Sequence, residues 1–110
     1  MSFVYLGAPY SHKNPHIRTL RYQMTNEVAA RLMQQGMTVF SPISHSHEVS
    51  KYLEPENDTH ELWMRQDLPI LERAAKLIVL RLNGWDKSRG LAEEIEHAKV
   101  HGIPIEMMDY

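Results

Sequence analysis

Lys76-Leu77-Ile78-Val79-Leu80-Arg81-Leu82 contains an unbroken apolar run, Leu77 to Leu80. A strand with one face in water alternates apolar and polar residues. A continuous run of this length suits a strand covered on both faces, the central strand of a parallel sheet. Downstream, Gly84 to Gly90 is a polar loop, Leu91 to His101 has helical spacing and stops at Gly102, and Ile103 to Met107 reads as a last short strand. Upstream, His60 to Ala75 carries Met64, Leu68, Leu71 and Ala75 at helical intervals, with Pro69 as a kink or a fresh helix start. Ser41 to Thr59 mixes Ser, His, Glu, Pro and Asn-Asp with weak periodicity and reads as a long loop with one helical turn. Met37 to Phe40 is a second strand. Pro15 to Gln35 is an amphipathic helix along Ile17, Leu20, Met24, Val28 and Leu32, and Phe3 to Leu6 opens the chain as a strand ended by Gly7-Ala8-Pro9.

The order is therefore β-α-β-α-β-α-β. Strands separated by helices need crossover connections, and these are right-handed, so the expected architecture is a small doubly wound (Rossmann or flavodoxin-like) parallel sheet. It should have four to five strands, with helices on both faces. The 110 residues suit one domain, 1–110. Twelve Lys and Arg against 14 Asp and Glu, for a net charge of −2, leave no basic footprint for a nucleic acid polymer or an anionic membrane. Cys is absent, which excludes disulfides, thiolate nucleophiles and thiolate-bound zinc, and the N-terminal MSFVYLGAPY lacks a signal-peptide pattern, so a cytoplasmic location is expected.

In a doubly wound sheet ligands bind beyond the carboxyl ends of the strands, where the winding reverses. The segments placed there are Gly7 to Ser11, Ser41 to His47 and Asn83 to Gly90, which nominates Gly7, Pro9, Tyr10, Ser11, Ser44, His45, His47, Trp85, Ser88 and Gly90 as substrate-contacting residues. Ser88 is placed to cap the helix that follows, and that helix start offers free N–H groups to an anion. On this helix, with about 100° per residue, Glu94 lies roughly 70° from the centre of the stripe Leu91, Ile95 and Ala98, whereas Glu93 lies roughly 170° away, toward water. Glu94 is the carboxylate at the margin of the packed face. Asp67 stands at a similar angle on its own helix, where it either faces the site or caps a new segment before Pro69. Tyr5, inside the first strand, can orient a carboxylate or serve as core. Arg18 and Arg21 can meet a phosphate from the start of the first helix or remain solvated. Of Tyr5, Tyr10, Phe40, Trp63 and Trp85, three sit near strand ends and suit stacking on a planar base. His45 and His47, on an extended segment, would project to one side as metal ligands do, but no third ligand stands at motif spacing, and a loop touching a polar ligand accounts for them equally.

Tyr5-Leu6-Gly7-Ala8-Pro9, Ser41-Pro42-Ile43-Ser44-His45-Ser46-His47, Trp63 with Asp67-Leu68, and Ser88-x-Gly90-x-x-x-Glu94 with Ala98 and Gly102-Ile103-Pro104 resemble, in this order, the nucleoside 2-deoxyribosyltransferase superfamily. The likeness runs almost from end to end. It points to a short branch catalogued as a domain of unknown function, related to the 2′-deoxynucleoside 5′-monophosphate N-glycosidases. The resemblance implies that Glu94 is the nucleophile at the anomeric carbon, that Asp67 assists the departing base and that Tyr5 positions the nucleophile. Ser88 occupies the place where the monophosphate hydrolases carry Ser and the transferases tend to carry Asp. This implies a 5′-phosphate held by Ser88 and the amides of Gly90 and Leu91, with Ser11 or Arg18. The Pro-Gly-Gly loop of the cytokinin-activating phosphoribohydrolases is missing.

The expected function is an N-glycosidase of a (deoxy)nucleoside 5′-monophosphate acting through a covalent glycosyl-enzyme, without cofactor or metal. Its alternatives are base exchange by a 2-deoxyribosyltransferase and a nucleotide-binding sensor. The chain ends at Tyr110 without the C-terminal phosphate contact of the hydrolases, while a terminal Tyr resembles transferases whose last segment closes a partner's sugar pocket. One four-stranded layer has little chain left to roof a nucleotide, so a homodimer or higher homo-oligomer with the site near the subunit interface is expected.

Overall fold

The structure, a computed structural model, describes residues 2–110. Four parallel strands, β1 (Val4–Gly7), β2 (Val39–Phe40), β3 (Lys76–Leu80) and β4 (Ile105–Met108), form one sheet in the order β2-β1-β3-β4. The apolar run Leu77 to Leu80 is buried throughout and lies between β1 and β4, as its lack of alternation requires. Four helices complete the domain: α1 (Pro15–Gln34), α2 (Pro42–Val49), α3 (His60–Leu71) and α4 (Arg89–Val100).

Strand periodicity sends alternate residues to opposite layers. Val4, Leu6, Ile78 and Leu80 pack with Val28, Ala29 and Leu32 of α1 and Ile43 of α2. Tyr5, Leu77 and Val79 pack on the other face with Leu71 at the end of α3, with Ala74 just beyond it, and with Leu91 and Ala98 of α4. Helices therefore cover both faces, and Tyr5 points into the α3/α4 layer. β1 pairs with β2 on one side and β3 on the other, and this is where the winding reverses. Among the described residues no helix is long and apolar enough to cross a membrane.

Three features differ from the sequence expectation. Ser41 to Thr59 is not a loop with a single turn. Pro42, at the first turn where its missing N–H costs nothing, starts the eight-residue α2, and two 3-10 turns follow at Ser50–Tyr52 and Pro55–Asn57. Pro69 neither breaks nor restarts a helix: α3 runs through it to Leu71, so Asp67 is a helix-interior residue and not a cap. The stripe of α1 is buried only from Thr25 onward. Leu20 is 50% exposed, because the first half of the helix extends beyond the sheet beside the strand ends.

Candidate active site

The carboxyl ends of β1 and β3 open into a cavity of about 1070 Å³, built from the β1–α1 connection, α2, α3 and the start of α4. Two helices turn the same kind of face toward it. Ile43, Ser46, His47 and Ser50 follow α2, and His60, Trp63, Met64 and Asp67 follow α3, each at intervals of three, one and three residues that keep side chains on one side of a helix. The start of α4 supplies Ser88, Arg89, Gly90, Leu91 and Glu94.

Glu94 is 5% exposed and Asp67 6%, while Tyr5 is wholly buried beneath them. The Tyr5 hydroxyl donates to Glu94 Oε2 in a short hydrogen bond. The other Glu94 oxygen lies over Gly7, where a methyl group would stand 3.4 Å from it, 3.0 Å from Leu91 Cδ1 and 3.2 Å from Leu77 Cδ1. A side chain at Gly7 would press α4 and its carboxylate away from the sheet. Gly7 thus serves the site by close approach and does not itself line the cavity.

Burial dominates the electrostatics. The Glu94 carboxyl is pushed up to about 8, because loss of water outweighs the Tyr5 hydrogen bond and the Asp67 charge adds to the rise. Burial alone raises Asp67 to about 6. The Tyr5 phenol is held far above its ordinary value, first by burial and then by the two carboxylates, so it stays a donor. These carboxyl groups lie close enough to titrate as a pair, and between about 6 and about 8 they share one proton.

Around them, the Tyr10 hydroxyl is hydrogen-bonded to His47 Nδ1 at 2.7 Å, and Tyr22 stacks on the His47 ring with centroids 3.9 Å apart. Burial lowers the His47 pKa, helped by Lys51 and Arg18, so the ring is neutral near pH 7. Trp63 Nε1 donates to Asp58 Oδ1 at 2.7 Å on the opposite wall. Four cationic side chains, Arg18, Lys51, Lys87 and Arg89, line the cavity. Ser88 caps α4, its Oγ accepting from Leu91 N at 3.2 Å, which leaves its own proton free to donate outward. The cap takes up Leu91 N, so of the two amides expected to hold a phosphate only that of Gly90 stays free, and Arg89 N joins it in a first turn whose N–H groups have no partner within the helix. A methyl group on Gly90 would meet only Met64 Cε, at 3.8 Å, so no packing inside the protein requires glycine there.

The structure thus brings Asp67, Glu94, Tyr10, Ser11, Arg18, His47, Ser88 and Gly90 to one cavity, with Tyr5 directly behind Glu94. Four other residues named from the sequence do not line it. Pro9 is fully buried below the loop. Ser44 is hydrogen-bonded to Asn26 and to Ser41 (2.7 Å), tying α2 to α1. His45 is exposed beside Phe40: on a helix, unlike an extended segment, residues two apart point nearly opposite ways, so His45 and His47 cannot share a ligand. Trp85 is folded by the 3-10 turn Trp85–Lys87 onto the α3/α4 core. Glu93 does not simply face water; it reaches His60, with Oε1 2.9 Å from Nε2, and Arg89 at 3.6 Å. Arg21 is neither solvated nor free for a phosphate. Its guanidinium donates to the carbonyls of Ser11 (3.0 Å) and Asn83 (2.9 Å), clamping the β1–α1 connection to the β3–α4 connection.

Sequence reasoning passed over Lys51, Asp58, Thr59, His60, Met64, Lys87 and Arg89. The signal for the α3 members was their spacing ahead of Asp67, and Thr59 was legible as the helix cap, its Oγ1 accepting from Leu62 N at 3.1 Å.

Comparison with known proteins agrees with this placement of the fold. A solved 2-deoxyribosyltransferase from the psychrotolerant bacterium Bacillus psychrosaccharolyticus superposes with a TM-score of 0.68 at 20% sequence identity, covering 98% of this chain and 72% of that one. No curated protein matches the sequence significantly. The profile of one family, described as "Domain of unknown function (DUF1937)", spans residues 2–110, and the chain belongs to that family.

Proposed function

We propose that the protein is an N-glycosidase of (deoxy)nucleoside 5′-monophosphates with Glu94 as its nucleophile. The observation that carries this reading is a buried carboxylate, held by the Tyr5 hydroxyl, facing a nucleotide-sized cavity beside a second buried acid. Glu94 Oε1, the oxygen not bonded to Tyr5, attacks the anomeric carbon. The bond to the base nitrogen breaks through an oxocarbenium-like transition state, and the nitrogen receives the proton of Asp67. Water then attacks the same carbon, Asp67 takes its proton, and the sugar phosphate leaves with Glu94 restored.

This chemistry needs the shared proton on Asp67 and Glu94 ionised. Positive charge growing on the sugar beside Glu94 favours that arrangement over the resting one. The free first-turn amides of α4 and Ser88, in a cavity also lined by Arg18, Lys51, Lys87 and Arg89, suit a 5′-phosphate. At about 1070 Å³ the cavity lies just above the roughly 300–1,000 Å³ typical of small-molecule sites, large enough for a nucleotide.

The likeness to a 2-deoxyribosyltransferase favours transfer between bases as a second reading, since both reactions share the glycosyl-enzyme and differ only in whether water or a base accepts the sugar. The test is incubation with a panel of nucleosides and their 5′-monophosphates, with and without an acceptor base, followed by chromatography. Free base from the monophosphates without acceptor supports the glycosidase. New nucleoside formed only with acceptor supports the transferase. Binding with neither product contradicts both and describes a sensor.

A further inference from the structure

We propose that Glu72, His97 and His101 form a binding site for a divalent transition-metal ion such as Zn²⁺ on the face of the α3/α4 layer. His97 and His101 are four residues apart at the end of α4, so their rings rise on one side of the helix, with centroids 4.2 Å apart. Glu72, the residue that closes α3, reaches across to them, its Oε1 2.8 Å from His97 Nε2 and 3.5 Å from His101 Nε2. All three donor atoms lie within 4.8 Å of one another. Ligands held at about 2.0–2.1 Å in a tetrahedron are about 3.3 Å apart, so small side-chain rotations close the set on one ion.

A hydrogen bond that orients one of the two imidazoles is already made. His101 Nδ1 lies 3.0 Å from the carbonyl oxygen of His97. A carbonyl only accepts, so Nδ1 carries a proton, and in the neutral ring this leaves the Nε2 lone pair on the side of Glu72 and His97. At His97 the proton now shared between Nε2 and Glu72 must leave: it moves to Nδ1 in the neutral ring, or is released when the ring is charged. Two imidazoles and one carboxylate suit Zn²⁺, Cu²⁺ or Ni²⁺ and disfavour Mg²⁺ and Ca²⁺, which seek oxygen. All three side chains are partly exposed, so the ion has an entry path and water completes its shell.

The location says what such an ion does. His97 and His101 lie three and seven residues beyond Glu94 on the same helix, roughly 4.5 and 10.5 Å along its axis, outside the cavity. The ion joins the end of α3, which carries Asp67, to α4, which carries Glu94. It acts as a staple across the layer that bears both acids and takes no part in bond cleavage.

Chelator-treated protein is titrated with Zn²⁺ by calorimetry, and its melting temperature is measured with and without the ion. Co²⁺ is added in parallel to read coordination from its visible spectrum. The expected result is one ion per chain with micromolar or tighter affinity, a raised melting temperature and a spectrum of a low-coordinate site. His97→Ala, His101→Ala and Glu72→Gln should each weaken binding at least tenfold and abolish the thermal shift, while His16→Ala, on α1, should leave both unchanged. Binding only in the millimolar range, or affinity untouched by the three substitutions, overturns the site.

Discussion

At the scale of single residues, the proposed role of Glu94 turns on how the protein keeps its carboxyl group buried. Tyr5 donates to Glu94 from below, and no other hydrogen bond to that carboxyl is formed among the described residues. A hydrogen bond to an ionised group contributes roughly 1.5–3 kcal/mol. If it strengthens as Glu94 ionises in the reaction, Tyr5→Phe should lower kcat by about 10- to 100-fold with little change in KM, and steady-state kinetics on a 5′-monophosphate reads the split. The pair Asp67 and Glu94 holds one proton between about 6 and about 8, so kcat/KM should follow a bell with limbs near those values. Stability carries the same signature. Glu94 is raised from 4.5 to about 8 in the folded protein, so the folded state keeps a proton that the unfolded chain has lost. Its contribution is complete below about pH 4.5 and is lost as pH rises through about 8, and Asp67 adds the same sign between 3.8 and about 6. Melting temperature should therefore fall between about pH 5 and pH 8.5, by about 4–8 °C for each kcal/mol lost. Glu94→Gln, which cannot ionise, should remove most of that fall.

At the scale of elements, the switch point depends on two connections held in register by Arg21. Gly84 allows that clamp to reach Asn83: its φ is 89°, and a methyl group there would stand 2.7 Å from Arg21 Nη2. Gly84→Ala should destabilise the fold by about 1–2 kcal/mol from backbone conformation alone, with further loss from the displaced guanidinium. A lower urea midpoint with unchanged slope is the measurement. The sheet was legible in the sequence because Leu77 to Leu80 admits few other roles. Glu94 was legible because the stripe of α4 placed it on the packed side and Glu93 away from it. α2 was not, because polar His and Ser residues carry much of its cavity face, and hydrophobic periodicity cannot report a face made of polar side chains. For the same reason His45 and His47 looked like neighbours on one side when the helix separates them. Arg21 escaped because a clamp between two distant loops leaves no local pattern.

At the scale of the whole molecule, one topological fact puts the chemistry together. Tyr5 near the start of the chain and Glu94 near its end meet because β1 lies beside β3 and both strands point their carboxyl ends into the same cavity. The proposed roof by a second copy belongs to this scale too: sedimentation should show a dimer or larger assembly at the concentrations where base release is measured, and a monomer that releases base would exclude the roof. The proposed role of Glu94 as nucleophile is tested by following free base released from a (deoxy)nucleoside 5′-monophosphate by wild type and by Glu94→Ala. The account predicts steady release by wild type and a loss of at least about 10³-fold in the variant, in line with other catalytic nucleophiles. Release by Glu94→Ala at a rate near that of wild type would contradict it.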